Sequence, residues 1–269
     1  MLGGDVAGAA RRAGHEVVAL ARTELDVTDP ERGAERLAEH RPDAVVNCAA
    51  WTDVDGAEAK EDRALAANAP AGFFARVAEA GAVLLHVSTD YVFDGTKRTP
   101  YVEGDLPAPQ GAYGRTKLAG EEAARAAGGP YLVVRSGWLY GAGGRNFVET
   151  MLRLGRERGH VRVVDDQLGC PTSTRDLAEG LVDLLETDAR GLWHLAAEGE
   201  CTWFALAREA LDRAGIPCTV EPTTTAELGR PAPRPAYSVL RSERGAPPLP
   251  HWRKGLARYL AERPSAVTA

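Results

Sequence analysis

Ala82-Val83-Leu84-Leu85-His86-Val87-Ser88-Thr89-Asp90-Tyr91-Val92-Phe93-Asp94-Gly95 is the stretch on which the reading of this chain turns. Its run from Ala82 to Val87 is apolar without alternation apart from His86, which predicts a strand at Val83 to Val87 buried on both faces. The strand delivers Ser88 and Thr89 at its exit. Downstream, Tyr113-Gly114-Arg115-Thr116-Lys117 sets a phenol and an ammonium four positions apart, and on a helix positions i and i+4 share a face.

Those residue types fit one chemistry. A free tyrosine has a pKa of about 10, too high for easy proton exchange at neutral pH, and a cation within about 4 to 6 Å favours the phenolate. Lys117 is expected to lower the pKa of Tyr113 in this way. The phenol would then give a proton to a carbonyl oxygen as hydride reaches the carbon, with the Thr89 hydroxyl holding that oxygen. Ketone reduction is the expected reaction.

Working outward, helices and apolar strands alternate. Ala7 to Ala13 predicts a helix stopping at Gly14, Glu16 to Ala21 a strand, Pro30 to Glu39 a helix with proline in its first turn, and Ala44 to Ala50 a buried strand and its exit. Glu58 to Asn68 and Ala71 to Ala80 predict one or two helices, Ala112 to Ala127 the helix carrying Tyr113 and Lys117, and Tyr131 to Arg135 a strand. Further on, Phe147 to Leu154 and Asp176 to Leu185 read as helices, and Val161 to Val164 and Leu192 to Leu195 as strands. Pro217 to Pro250 reads as the loops of a small substrate-covering lobe, with a flexible tail as the alternative. This is an α/β pattern, a doubly wound parallel sheet with helices on both faces. In such sheets ligands lie beyond the carboxyl ends of the strands, where Asn47 to Ala50, Ser88 to Tyr91 and Ser136 to Tyr140 should converge.

The 269 residues suffice for a full core. With 32 basic and 38 acidic residues, a formal charge of -6 argues against a general nucleic-acid surface. Cys48, Cys170, Cys201 and Cys218 show no ligand spacing, so buried reduced thiols, no metal and a cytoplasmic location are expected. No apolar run approaches the roughly 18 residues of a membrane span.

The chain resembles the extended short-chain dehydrogenase/reductase family. Four segments carry the likeness in the family's order: Asn47-Cys48-Ala49-Ala50-Trp51-Thr52-Asp53-Val54-Asp55-Gly56-Ala57-Glu58, Ser88 to Gly95, Tyr113 to Lys117, and Gln167-Leu168-Gly169-Cys170-Pro171-Thr172. Arg135 to Tyr140 and Arg234-Pro235-Ala236-Tyr237-Ser238-Val239-Leu240 fit as well. The resemblance implies a catalytic triad of Thr89, Tyr113 and Lys117, with Lys117 also holding the nicotinamide ribose. It places Ala49, Ala50, Thr52 and Asn68 along the cofactor cleft, and Trp138 with Asp90, Tyr91, Val92 and Phe93 around the substrate. A core aromatic is the competing reading of Trp138. It further implies a dinucleotide-binding domain at 1–140, rejoined by 176–196, and a substrate lobe made of 141–175 and 197–269.

Arg22 follows the predicted strand Glu16 to Ala21, where an arginine accommodates a ribose 2′-phosphate, so NADPH is favoured over NADH. Asp26 and Val27 resemble an adenine-contacting pair, while a turn with Thr28 or Asp29 capping the next helix competes. The chain opens Met1-Leu2-Gly3-Gly4, similar to the tail of the family's glycine-rich turn, with Gly3 as its last glycine. The expectation is that Met1 is internal to that turn, that the natural protein is longer, and that the sheet described by this sequence has an open edge where the first strand belongs.

The resemblance implies reduction of the C4 ketone of a nucleotide-activated 6-deoxy-4-keto sugar, most simply dTDP-4-dehydro-L-rhamnose. Arg145, Arg175 and Arg234 are candidates for the diphosphate by charge and position. A homodimer is compatible with the family and with symmetry base rates. Two alternatives stay open: a nucleotide-binding regulatory subunit without turnover, and a ketoreductase for another deoxysugar.

Overall fold

Four short strands whose successive side chains point to opposite faces organise the architecture. In the computed structural model, which describes residues 1–263, β1 (Ala44–Asn47), β2 (Val83–Thr89), β3 (Tyr131–Ser136) and a fourth strand, Gly191–His194, form one parallel sheet in that order. Val45 pairs with Leu84, Leu85 with Leu132, and Val133 with Leu192. The helices are α1 (Leu2–Arg12), α2 (Pro30–His40), α3 (Val54–Ala59), α4 (Glu61–Asn68), α5 (Ala71–Glu79), α6 (Ala112–Ala126), α7 (Phe147–Arg158), α8 (Thr174–Leu185), α9 (Trp203–Arg213), α10 (Thr225–Leu228) and α11 (Trp252–Glu262).

Leu85, Val87, Leu132 and Val134 meet Val6 of α1 and Leu177 and Leu181 of α8 on one face. Leu84 and Val133 meet Leu37 of α2, Phe73, Phe74 and Val77 of α5, and Ala124 of α6 on the other. Full burial of such a side chain contributes roughly 1.5–3 kcal/mol against about 1 kcal/mol net for a hydrogen bond, so packing on both faces dominates over the short ladders. Local signals set the helix ends. Asp29 caps α2 by accepting from Arg32 N at 2.9 Å, with Pro30 in the first turn, and Asn146 caps α7, which stops at left-handed Gly159.

A second core lies beside the sheet, where Val148 and Leu152 of α7, Leu206 and Leu211 of α9, and Trp252 and Leu256 of α11 pack together. The strand His160–Val164 pairs in parallel with Thr219–Thr223. That second strand corrects the expectation of loops from Pro217 to Pro250, as do α10 and the strand Leu249–His251. Proline richness suggested loops, but Pro222 sits in an edge strand, where a missing N–H is tolerated.

The strand predicted at Glu16 to Ala21 is also corrected. The segment makes no ladder, and Val18 is 49% exposed. β1 is the edge of the sheet, and a run of β-formers cannot be a strand without a partner to satisfy its backbone groups.

α6 approaches the sheet through glycine. A Cβ at Gly120 would fall onto the Asn68 carbonyl and 2.9 Å from His86 Nε2, and one at Gly114 would strike the Tyr91 carbonyl. Gly120→Ala is therefore expected to destabilise the protein by about 1–3 kcal/mol through overpacking, read as a lower urea midpoint. An unchanged midpoint would show that the helix can shift without cost.

Candidate active site

β2 ends by delivering Thr89, which is 4% exposed and caps the short turn Asp90–Val92 by accepting from Tyr91 N at 3.2 Å. The first turn of α6 carries Tyr113, and Glu58 of α3 holds that helix end by accepting from Ala112 N at 2.8 Å. The close contact at Gly114 holds the first turn of α6, and Tyr113 with it, against the turn that follows Thr89. Tyr91 packs edge-on against the Tyr113 ring at 5.8 Å. Burial pushes the Tyr113 phenol up to about 12; the Thr89 hydroxyl opposes this shift and the nearby Asp90 adds to it. At neutral pH Tyr113 holds its proton and can donate it.

Lys117 sits on the same helix, 2% exposed, with Nζ donating to the Val87 carbonyl at 2.5 Å and lying 3.3 Å from His86 Nε2. Lys117 was expected to lower the pKa of Tyr113, and the net shift of the phenol is upward, with burial as its largest cause. A buried ammonium must place its N–H groups on acceptors, and the nearest is a main-chain oxygen of β2. Burial lowers Lys117 itself to about 8, against the opposing charge of Glu121.

The cofactor residues divide. Ala49, Ala50 and Thr52 are exposed at the carboxyl end of β1. Gly3, in the first turn of α1, lies beside Cys48 of the same strand exit, where a Cβ would come within 3.6 Å of the Cys48 Cβ. The positive dipole end of α1 thus faces the exit of β1, and a nicotinamide dinucleotide fits this edge. Asn68 lies behind this edge. Fully buried, it accepts from Trp51 N at 2.8 Å and donates to Thr116 Oγ1 at 3.0 Å, bracing the loop from behind. Arg22 is exposed and paired with Asp26 at 3.1 Å. Asp26 also accepts from Thr28 N and Oγ1, and Asp29 caps α2, so the turn account holds for that carboxylate. Val27 is half-buried against the α2 and α5 cluster.

On the substrate side, Tyr91 remains near Tyr113, but Val92 and Phe93 are fully buried. Phe93 stacks on Tyr101 at 4.1 Å, so both side chains anchor the turn and do not present it. Trp138 packs against a second tryptophan. It is 8% exposed, lies face to face with Trp203 at 3.5 Å, and holds a left-handed φ of 54°. Asp90 ties the turn to the late segment by accepting from Ser238 Oγ at 2.5 Å and from Thr89 Oγ1 at 3.1 Å.

Of the three arginines, only Arg234 reaches the site. It pairs with Asp55 of α3 at 3.0 Å and lies close enough to Tyr91 to oppose the rise of its pKa. Arg175 pairs with Glu179 and Glu262 at the surface, and Arg145 is exposed. Sequence reasoning missed Asp55, Glu58, His86 and Ser238 as site-building residues. His86 alone carried a signal, as the single polar residue inside an apolar strand. Among the described residues there is no group of three or more metal-ligating side chains and no helix long and apolar enough to cross a membrane.

Residues 1–264 match the family described as the RmlD substrate binding domain. The chain is 46% identical to dTDP-4-dehydrorhamnose reductase of Mycobacterium tuberculosis over 273 residues, covering 97% of this chain and 89% of that one. It is 42% identical to dTDP-4-keto-6-deoxy-D-glucose reductase of Streptomyces niveus, covering 96% and 92%. Among solved structures, dTDP-4-dehydrorhamnose reductase from Bacillus anthracis in complex with NADP superposes with a TM-score of 0.94 at 36% identity, covering 97% of this chain and 95% of that one.

Burial raises Asp90 from 3.8 to about 6, against its hydrogen bonds from Ser238 and Thr89. A folded-state pKa above the unfolded one means that folding takes up a proton between the two values, so this group's contribution is full below about 4 and is lost as pH rises through 6. Relative to wild type, Asp90→Asn should therefore gain stability as pH rises from 4 to 7, by at most about 3 kcal/mol. Paired thermal melts across that range measure it, and parallel curves would mean that Asp90 is not perturbed.

Proposed function

The chain belongs to the RmlD substrate binding domain family, and from that premise we propose that it is an NADPH-dependent reductase of the C4 ketone of a dTDP-activated 6-deoxy-4-keto sugar, converting dTDP-4-dehydro-L-rhamnose to dTDP-L-rhamnose. One observation carries the chemistry: a strand-end hydroxyl, Thr89, beside a buried, protonated phenol, Tyr113, with a buried lysine one helical turn on. A chain that only bound nucleotide would have no need of that arrangement.

Tyr113 donates its proton to the carbonyl oxygen, and Thr89 orients that oxygen by hydrogen bonding. The dinucleotide, when bound, supplies the hydride. Ala49, Ala50 and Thr52 would line its cleft, with Gly3 and the first turn of α1 at the pyrophosphate. Arg22 would reach the 2′-phosphate, and Asp26 with Val27 the adenine, Asp26 using whatever acceptor capacity its turn leaves. Lys117 serves the nicotinamide end. Tyr91 and Arg234 fit the substrate side, where Arg234 brings a guanidinium to an anionic sugar nucleotide. In this reading 1–140 with 176–196 forms the dinucleotide-binding half, and 141–175 with 197–269 the substrate lobe. The separate core of α7, α9 and α11 supports that division; residues 264–269 lie outside the described residues. Four free thiols fit a reducing cytoplasm, and a homodimer accords with symmetry base rates.

Tyr113→Phe is expected to lower kcat by at least a hundredfold, within the range for loss of a general acid, while NADPH affinity by calorimetry stays within about twofold. Turnover equal to wild type would remove Tyr113 from the mechanism. Arg22→Ala should weaken NADPH binding about tenfold and leave NADH unchanged; that difference corresponds to about 1.4 kcal/mol, and equal losses for both would place Arg22 away from the 2′-phosphate.

A further inference from the structure

We propose that Asn47 and His86 set the proton affinity of Lys117, by presenting an N–H donor to its nitrogen where an ammonium would need an acceptor. The inference rests on the reading of Lys117 as part of the active site. His86 is fully buried, lies edge-on to Phe74 at 5.1 Å, and is covered by the glycine surface of α6 at Gly120.

The hydrogen-bond polarity follows from a fixed end. Ala49 N–H can only donate, and it donates to Asn47 Oδ1 at 3.1 Å. That contact orients the amide so that Asn47 Nδ2 faces His86 Nδ1 at 3.1 Å. An amide nitrogen only donates, so Nδ1 accepts. Burial and the Lys117 charge hold His86 neutral, and a neutral ring that accepts at Nδ1 carries its proton on Nε2. Nε2 lies 3.3 Å from Lys117 Nζ. An ammonium has no lone pair, so it would set one N–H against another. An amine accepts from Nε2 while still donating to the Val87 carbonyl.

The remaining neighbours do not cancel this preference. Glu121, on α6, favours the ammonium, but its two oxygens take bonds from Arg135 on β3 at 2.8 and 2.6 Å, and Ser88 on β2 also donates to it. Cys48 on β1 has its thiol pushed up to about 12 and stays uncharged. Thr89 is uncharged, Tyr113 holds its proton, and Asp90 accepts from Thr89 and Ser238. The Asn47–His86 pair is therefore a positioning device acting through Lys117.

The test is direct titration of Lys117 by carbon and nitrogen NMR on lysine-labelled protein, which carries only four lysines, Lys60, Lys97, Lys117 and Lys254. In His86→Gln the side-chain oxygen can turn toward Nζ and supply the missing acceptor, so the Lys117 pKa should rise by at least one unit and the alkaline limb of kcat/KM should move with it. Asn47→Asp makes Nδ1 a donor and Nε2 an acceptor, and should raise it too, which covers a misfolded His86 variant. An unchanged Lys117 titration in a folded variant overturns the proposal, as does a lower one. The NMR readout needs no turnover, so a wild type inactive on keto sugars would count against the proposed reaction and leave this assignment to stand or fall on its own.

Discussion

The approach of α6 to β2 across Gly114 and Gly120 is the constraint on which the site depends. At both positions a methyl group would collide with a main-chain carbonyl, so the helix sits closer to the sheet than side chains would allow. That distance lets Tyr113 reach Thr89 and lets Lys117 reach back to the Val87 carbonyl. The parallel sheet points the carboxyl ends of its strands at one edge, and the helix packing then decides which side chains meet there.

Close packing has an electrostatic consequence. Tyr113, Lys117, His86 and Asp90 all lie where burial disfavours charge, so the phenol stays protonated, the imidazole neutral, and the lysine near the point of losing its proton. The charges that do remain inside are paired. Glu121 and Arg135 form a two-contact bridge with side chains 9% and 2% exposed, and removing one partner of such a pair costs about 3–5 kcal/mol. The candidate site is thus a largely buried pocket braced by the Glu121–Arg135 ion pair.

Much of this was legible because strong local signals coincide with the global fold. Apolar, non-alternating strands and a Tyr-x-x-x-Lys behind a strand-end hydroxyl placed the sheet, Thr89, Tyr113 and Lys117. Three features were not legible, for physical reasons. Glu16 to Ala21 has strand composition but no partner, and propensity does not register pairing. Val92, Phe93, Asn68 and Trp138 sit within functional motifs, yet motif membership does not say which way a side chain points, and each is turned into the packing. The effect of Lys117 on Tyr113 was not legible because spacing along a helix fixes the face and not the acceptor the ammonium finds. Asp55, Ser238 and Arg234 are brought to the site by contacts spanning more than a hundred residues, which periodicity cannot reveal.

The most direct measurement of the central claim is product analysis by NMR after incubating the protein with dTDP-4-dehydro-L-rhamnose and NADPH deuterated at nicotinamide C4. The account predicts stoichiometric oxidation of the nicotinamide and a dTDP-6-deoxyhexose carrying deuterium at sugar C4. Unchanged keto sugar beside intact NADPH, or label at any other carbon, would contradict it.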